Sequence, residues 1–117
     1  MNEKPYDLGE RTLNFAKAVR EFAKQYPKNR LNLSDLDQLI ASSGSVGANY
    51  IEACESLSKK DFGMRIKICR KEAKESGYWL RLIDTGSDSQ LDVLRESLVG
   101  ESGELTKIFG AIVSKSI

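Results

Sequence analysis

Between Ser58 and Asp84 the chain reads SKKDFGMRIKICRKEAKESGYWLRLID, and its apolar or small residues recur in alternating steps of four and three: Phe62, Ile66, Cys69, Ala73, Ser76, Leu80 and Ile83. That spacing holds one stripe of a long α-helix on a single side. A stripe of this length needs cover along all of it, so the rest of the chain is expected to supply the covering helices. The remaining sequence has the same grammar.

From Leu8 the pattern Leu8, Thr12, Phe15, Val19, Phe22, Tyr26 steps by four and three until Pro27, and a helix usually ends before a proline. Residues 1–7 are expected to be a loose N-terminal arm, and Arg11, Lys17, Arg20 and Lys24 to lie on the exposed side of helix 1. After a short polar connection, Ser34 is the expected N-cap of helix 2, with Asp35 and Asp37 in its first turn where the helix dipole favours them. The sequon Asn32-Leu33-Ser34 is better explained by that capping role than by glycosylation. Helix 2 then presents Leu36, Ile40, Ser43, Gly47, Tyr50, Cys54 and Leu57. Its middle, Ser42 to Ala48, is made of small residues, and a glycine inside a helix costs about 1 kcal/mol relative to alanine. The compensation expected is close approach of helix 3, with Ser43 and Gly47 set against the level of Cys69 and Ala73.

Ser58 and Asp61 make a capping-box-like start for helix 3, so the turn before it is short and helices 2 and 3 are antiparallel. Gly86 stands where a C′ glycine would follow helix 3, and Asp88 or Ser89 caps a fourth helix whose stripe reads Leu91, Leu94, Leu98, Glu101, Leu105, Ile108, Ile112. The fold expected is all-α: one antiparallel up-down four-helix-bundle domain spanning residues 1–117.

Two rows do not fit a solitary bundle. Helix 3 carries Arg65, Ile68, Glu72, Glu75, Trp79, Leu82, and helix 4 carries Val99, Gly103, Thr106, Gly110, Val113. A helix with two such faces has two contacts to make. Trp79 is displaced well to one side of the inward row, since successive residues are separated by 100°. A homo-oligomer interface is therefore expected at Glu72, Glu75, Tyr78, Trp79 and Leu82, with basic helix 1 of a neighbouring copy as the supplier of positive charge. The competing expectation is that helix 4 of the same chain covers Trp79.

The net charge is only +1, yet it alternates along the chain: +3 over residues 1–30, −4 over 31–57, +5 over 58–81 and −3 beyond. Sequence neighbours in an up-down bundle are spatial neighbours, so the alternation favours attraction within or between subunits. Lys67, Arg70, Lys71 and Lys74 form a basic cluster that is either a solvated face or a nucleic-acid contact. Glu52 and Arg65 match in height across the turn and are expected to pair. Glu52, Glu72, Glu75 and Glu101 have the residue type of a di-iron bundle, but such sites need a Glu-x-x-His motif on two helices, and the chain has no histidine. Cys54 and Cys69 lie on apolar stripes about 10 Å apart in level at 1.5 Å per residue, too far for a disulfide. Both are expected to be free, packed thiols without a base to activate them. Gly44-x-x-Gly47 lacks the lysine of a phosphate loop. Neither a cofactor nor a metal is expected, nor catalysis. No apolar run reaches the roughly 18 residues of a membrane span, and the first residues lack a signal-peptide core, so a cytoplasmic location is expected.

The segments Ser45-Val46-Gly47-Ala48-Asn49-Tyr50-Ile51-Glu52-Ala53, Asp61-Phe62 and Arg70-Lys71-Glu72-Ala73-Lys74-Glu75-Ser76-Gly77-Tyr78-Trp79-Leu80 together resemble the four-helix-bundle proteins encoded in intervening sequences of bacterial 23S rRNA genes. The resemblance runs from about Arg11 to Val113. It implies an antiparallel bundle assembled into a ring, often a pentamer, with no catalytic residues, and it brings ribosomal RNA into view as a partner. The accessory variability proteins of diversity-generating retroelements are similar in fold, pentameric and strongly basic, a charge this chain does not share. Cys54 stands where many relatives have glycine.

Overall fold

A computed structural model describes residues 7–25 and 30–116. These residues form four α-helices: α1 (Leu8–Lys24), α2 (Arg30–Cys54), α3 (Lys59–Leu82) and α4 (Ser89–Ser116). Each packs against its neighbours in sequence and α1 also packs against α4, whereas the backbones of the diagonal pairs stay apart and α2 reaches α4 only through side chains. The register of the contacts is antiparallel throughout: Thr12 meets Gly47, Asn32 meets Asp84, Ser42 meets Ser76, Asn49 meets Arg65, and Gly77 meets Ser102. The molecule is an antiparallel up-down four-helix bundle.

α3 is built as its spacing requires. Ile66, Cys69, Ala73, Ser76, Leu80 and Ile83 are buried and Phe62 packs beside them. Ser58 caps the helix by accepting from the Asp61 N–H at 3.1 Å. α1 follows its stripe too, with Leu8, Thr12, Phe15, Val19 and Phe22 buried. Asp7 is the N-cap of α1, its carboxylate accepting from the Glu10 N–H at 3.2 Å. Tyr26, Pro27 and residues 1–6 of the expected arm lie outside the described residues.

The other boundaries and registers differ from expectation for identifiable reasons. α2 begins at Arg30, so Ser34 is not its N-cap. Asn32 explains the earlier start. It is buried, donates to the Asp84 carbonyl at 3.2 Å and accepts from the Asp84 N–H at 3.4 Å, a tertiary anchor that requires residues 30–33 to be helical already. The stripe of α2 is set by Leu36, Leu39, Ser42, Ser43, Val46 and Ala53, whereas Leu57 is 99% exposed and Cys54 lies outside the core. Gly86 is not a C′ glycine, because α3 ends at Leu82 with Ile83 as its cap. It is needed one step later, where Gly86 and Ser87 both take φ near +65° and the Gly86 N–H donates to Asp84 Oδ1 at 2.9 Å. Asp88 then caps α4 through the Gln90 and Leu91 N–H groups at 2.9 and 3.0 Å.

α4 turns a neighbouring row inward. Leu91, Leu98, Ser102, Leu105, Phe109 and Val113 are buried, Leu94 is exposed, and Ile108 and Ile112 only flank the core. The reason is the α3–α4 contact. A Cβ on Gly77 would lie 2.6 Å from Ser102 Oγ, so the small side of α4 must face α3 there. With that register fixed, Phe109 falls on the bundle axis, where its ring lies 6.2 Å from that of Tyr50.

Candidate interaction surfaces

The two flanks of α3 are told apart by what they touch. Ser76 donates to Ser42 Oγ at 3.0 Å, and Arg65 donates to Asn49 Oδ1 at 3.0 Å, so that side belongs to α2. Gly77 abuts Ser102, and the Arg70 stem lies 3.7 Å from where a Gly110 Cβ would be, so the opposite side belongs to α4. By helical phase Ile68, Glu72 and Trp79 share the α2 side, and Glu75 and Leu82 continue that side round to solvent. Trp79 is half-buried and packs on the core, with Tyr78 edge-on at 5.2 Å. Tyr78 and Leu82 are 58% and 48% exposed, large values for rings and branched chains on one end of a helix. Glu72 is mostly covered, with Lys71 Nζ at 3.5 Å, and Glu75 is exposed.

The expected Glu52–Arg65 pair does not form. Arg65 reaches Asn49 instead, one turn back on α2, because a residue three positions earlier lies nearer the seam. Of the basic cluster, Lys67, Lys71 and Lys74 are exposed along the outer face of α3 on its α4 side, while Arg70 is half-buried by its contact with Gly110. Tyr78 lies on that outer face, an aromatic neighbour one turn beyond the 67–74 segment in which the sequence shows no interleaved ring.

Gly47 is a point of close approach, but its partner is α1 and not α3. A Cβ there would sit 3.0 Å from Thr12 Oγ1 and 3.3 Å from Thr12 Cβ. The serines one turn away, Ser42 and Ser76, are what bring α2 and α3 together. Outside the Gly47–Thr12 contact runs a groove of about 530 Å³ between α1 and α2. Small residues line it at Ala16, Gly44 and Gly47, Leu13 and Ile51 are its apolar rims, and its charges are Lys17 and Arg20 toward one end and Glu10 toward the other. Ile51 is 64% exposed. Arg20 Nη1 donates to its own Ala16 carbonyl at 3.1 Å, and Nη2 lies over Gly44.

Arg11, expected on the exposed side, is half-covered and bound to α4. Its Nε and Nη2 donate to the two Glu101 oxygens at 2.7 and 2.9 Å, a bidentate pair across the α1–α4 seam. Those bonds push the guanidinium pKa further up. At the far end of α3, Arg95 donates to the Ile83 carbonyl at 2.7 Å and Thr85 to Asp92, which fixes the α3–α4 loop.

Both cysteines are free. Burial pushes the Cys69 thiol up to about 12, so it stays protonated, and burial together with Cys54 raises Tyr50 to about 12. Among the described residues no group of His, Cys, Asp or Glu side chains is placed to hold a metal ion, and no helix is long and apolar enough to cross a membrane.

Residues 5–104 match the family of the 23S rRNA-intervening sequence protein. No curated protein matches the chain. A crystal structure of a protein with unknown function from the S23 ribosomal protein family of Bacteroides thetaiotaomicron VPI-5482 is similar, at 28% identity and a TM-score of 0.78 over 90% of this chain and 96% of that one. The helix order, the seams and a match over most of the sequence lead to one assignment: the chain belongs to the 23S rRNA-intervening sequence protein family.

Proposed function

We propose that the protein is a non-enzymatic, cytoplasmic interaction protein that works as a homo-oligomer, its copies meeting head to tail through two adjacent sides of the bundle. One side is the α2–α3 flank with Ile68, Glu72, Glu75, Trp79 and Leu82. The other is the α1–α2 groove with Leu13, Ile51, Lys17 and Arg20. The observation that carries this reading is that the two sides match in height. Every copy in a closed ring stands at the same level, so groups that pair across the contact must share one position along the bundle axis. Thr12 is level with Gly47, and Ser42 with Ser76, which puts Lys17 near the level of Ser76 and the Arg20 tip, beside Gly44, near that of Lys74. Glu72 and Glu75 bracket that level. About two turns below, Ile68 falls opposite Ile51, while Leu13 is level with Glu72.

One apolar rim thus meets an apolar residue, and the two cations lie within about one turn of the two carboxylates along the axis. Two sides meeting at about a right angle close a small ring of roughly four or five copies, in keeping with the pentamer that the family resemblance implies. Light scattering coupled to gel filtration tests the reading. A mass of several times 13.1 kDa is expected, and the monomer mass at micromolar concentration overturns it. Reversing Glu72 and Glu75 to lysine should break the assembly, and adding Lys17→Glu with Arg20→Glu should restore it. Trp79→Ala should lower the mass while leaving helical circular dichroism largely intact, as removal of an aromatic interface anchor does at a cost of about 2 kcal/mol or more.

A second reading is that the outer face of α3 contacts RNA. It is favoured by the exposure of Lys67, Lys71 and Lys74 along one line with Tyr78, which supplies charge and a stacking ring on the side left free by the ring contact. Neutralising Lys67, Arg70, Lys71 and Lys74 should flatten the salt dependence of RNA binding by about 0.7 log–log units for each phosphate that the protein then leaves unneutralised. Absence of RNA binding by the parent protein at low salt excludes this role.

A further inference from the structure

α1 is the shortest helix, and at its N-terminal end the bundle has a cavity of about 500 Å³. Leu8 and the Tyr50 ring close one side. The facing wall is α4, which presents two parallel rows there. Ile108 and Ile112, four residues apart, form an apolar row; Lys107, Ala111 and Lys115, at the same spacing, form the row beside it. The lysine Cα atoms are about 12 Å apart at 1.5 Å per residue, so the two ammonium groups can converge over Ala111, whose methyl leaves room between them. Among the described residues neither lysine enters an ion pair. Glu101, the carboxylate of α4 nearest to α1, is committed to Arg11. The nearby Tyr50 hydroxyl is held protonated by burial and by its hydrogen bond with Cys54, and the Asp7 carboxylate adds to that effect.

We propose that this cavity binds a small anionic amphiphile: a medium-chain carboxylate with its head between Lys107 and Lys115 above Ala111 and its tail along Ile108 and Ile112 toward Leu8 and Tyr50. Charge complementarity selects the head, because two cations without an ion pair among the described residues stand in a lining whose other members are Leu8, Tyr50, Ile108, Ala111 and Ile112, with Glu104 one turn below Lys107 on the same row. The dimensions select a small molecule, because the paired rows extend for about two turns, too little for a docked helix or a nucleic-acid strand, while the volume is within the range of roughly 300 to 1,000 Å³ typical of small-ligand sites. The site lies on the α1–α4 side, away from the ring contact, and does not depend on it.

The test is methyl NMR of the full chain titrated with octanoate, with octanol as the neutral control. Saturable shifts are expected at Leu8, Ile108, Ala111 and Ile112, and the K107Q/K115Q variant should weaken octanoate about tenfold, a change of roughly 1.4 kcal/mol, while leaving octanol binding unchanged. Added salt should weaken octanoate binding alone in the parent protein, which keeps the test decisive if the variant loses helicity. Absence of saturable shifts below the micelle concentration overturns the proposal. Equal binding of octanol and octanoate, indifferent to the lysines and to salt, also overturns it by reducing the site to apolar partition.

Discussion

Two helix seams close by the same device, a glycine set against a hydroxyl-bearing residue, and they differ in how far they close. Between α3 and α4 an added Cβ on Gly77 would come within 2.6 Å of Ser102 Oγ, and both residues are buried. Between α1 and α2 a Cβ on Gly47 would lie 3.0 Å from Thr12 Oγ1, on the edge of an open groove. The tighter seam joins helices of 24 and 28 residues, the looser one a helix of 17 to one of 25. Burial summed over a longer contact offsets a glycine's helical cost more easily, so of these two contacts the more exacting one stands between the longer helices. The short helix is held by a gentler contact and one ion pair.

The largest effect is therefore expected at Gly77. Gly77→Leu forces a side chain where Ser102 already sits, and should cost about 3 kcal/mol, the upper end of ordinary overpacking. Chemical denaturation measures it, and an unchanged midpoint would break the comparison at its strong end. Gly77→Ala should also destabilise despite alanine's better helix propensity, because Ser102 Oγ is held by its bond to the Val99 carbonyl at 2.8 Å. Ser102→Ala in the same chain removes the clashing oxygen and should recover most of that loss, a coupling that a double-mutant cycle reads directly.

Gly47 comes next, at about 2 kcal/mol for Gly47→Leu. The sharper measurement is Gly47→Ala. Here a propensity gain of about 1 kcal/mol opposes a contact at 3.0 Å that needs only a few tenths of an ångström of relief, from a Thr12 hydroxyl tied like that of Ser102 to a helix carbonyl, so the net change should stay within about 0.5 kcal/mol of zero. If Gly47→Ala and Gly77→Ala destabilise equally, the two seams are the same and their difference in distance has no energetic meaning.

These contacts also show where sequence reading succeeds. α1 offers a single apolar row and α3 one unbroken row beside a second that two carboxylates interrupt, so each has one evident way to face the core. α4 offers two, through Leu94, Ile108 and Ile112 or through Ser102, Phe109 and Val113, and counting hydrophobic residues favours the wrong one. What decides is the lack of volume at Gly77 on another helix, which periodicity within α4 cannot see. Gly47 is legible as a close approach for its residue type, but α2 has two neighbours and its level along the bundle does not choose between them. Asn32 looks like part of a loop because its partners, the Asp84 backbone groups, lie 52 residues away. Glu72, Glu75 and Trp79 are legible as a displaced row. That the displacement points toward α2, and that Lys17 and Arg20 stand at a matching height, requires the three-dimensional register.

The smallest expected effect tests the weak side of the comparison most directly. Arg11 and Glu101 form the bidentate pair between α1 and α4, with each side chain about a third exposed. Solvent screens such a pair, so its loss should cost only about 0.5 to 1 kcal/mol, near the top of that range because of the fork geometry. Arg11→Met is the informative change, since it keeps an apolar stem in place and removes the charge; a cycle with Glu101→Gln isolates the pair from either residue's packing. The location of the effect matters more than its size. If α1 is held by the Gly47 seam and this pair, native-state hydrogen exchange in Arg11→Met should speed up in the α1 amides while the protected centre of α3 changes only by the global loss. Uniform acceleration across all four helices would mean that α1 never opens on its own, and that the two sides of the bundle, despite their different seams, form one cooperative unit.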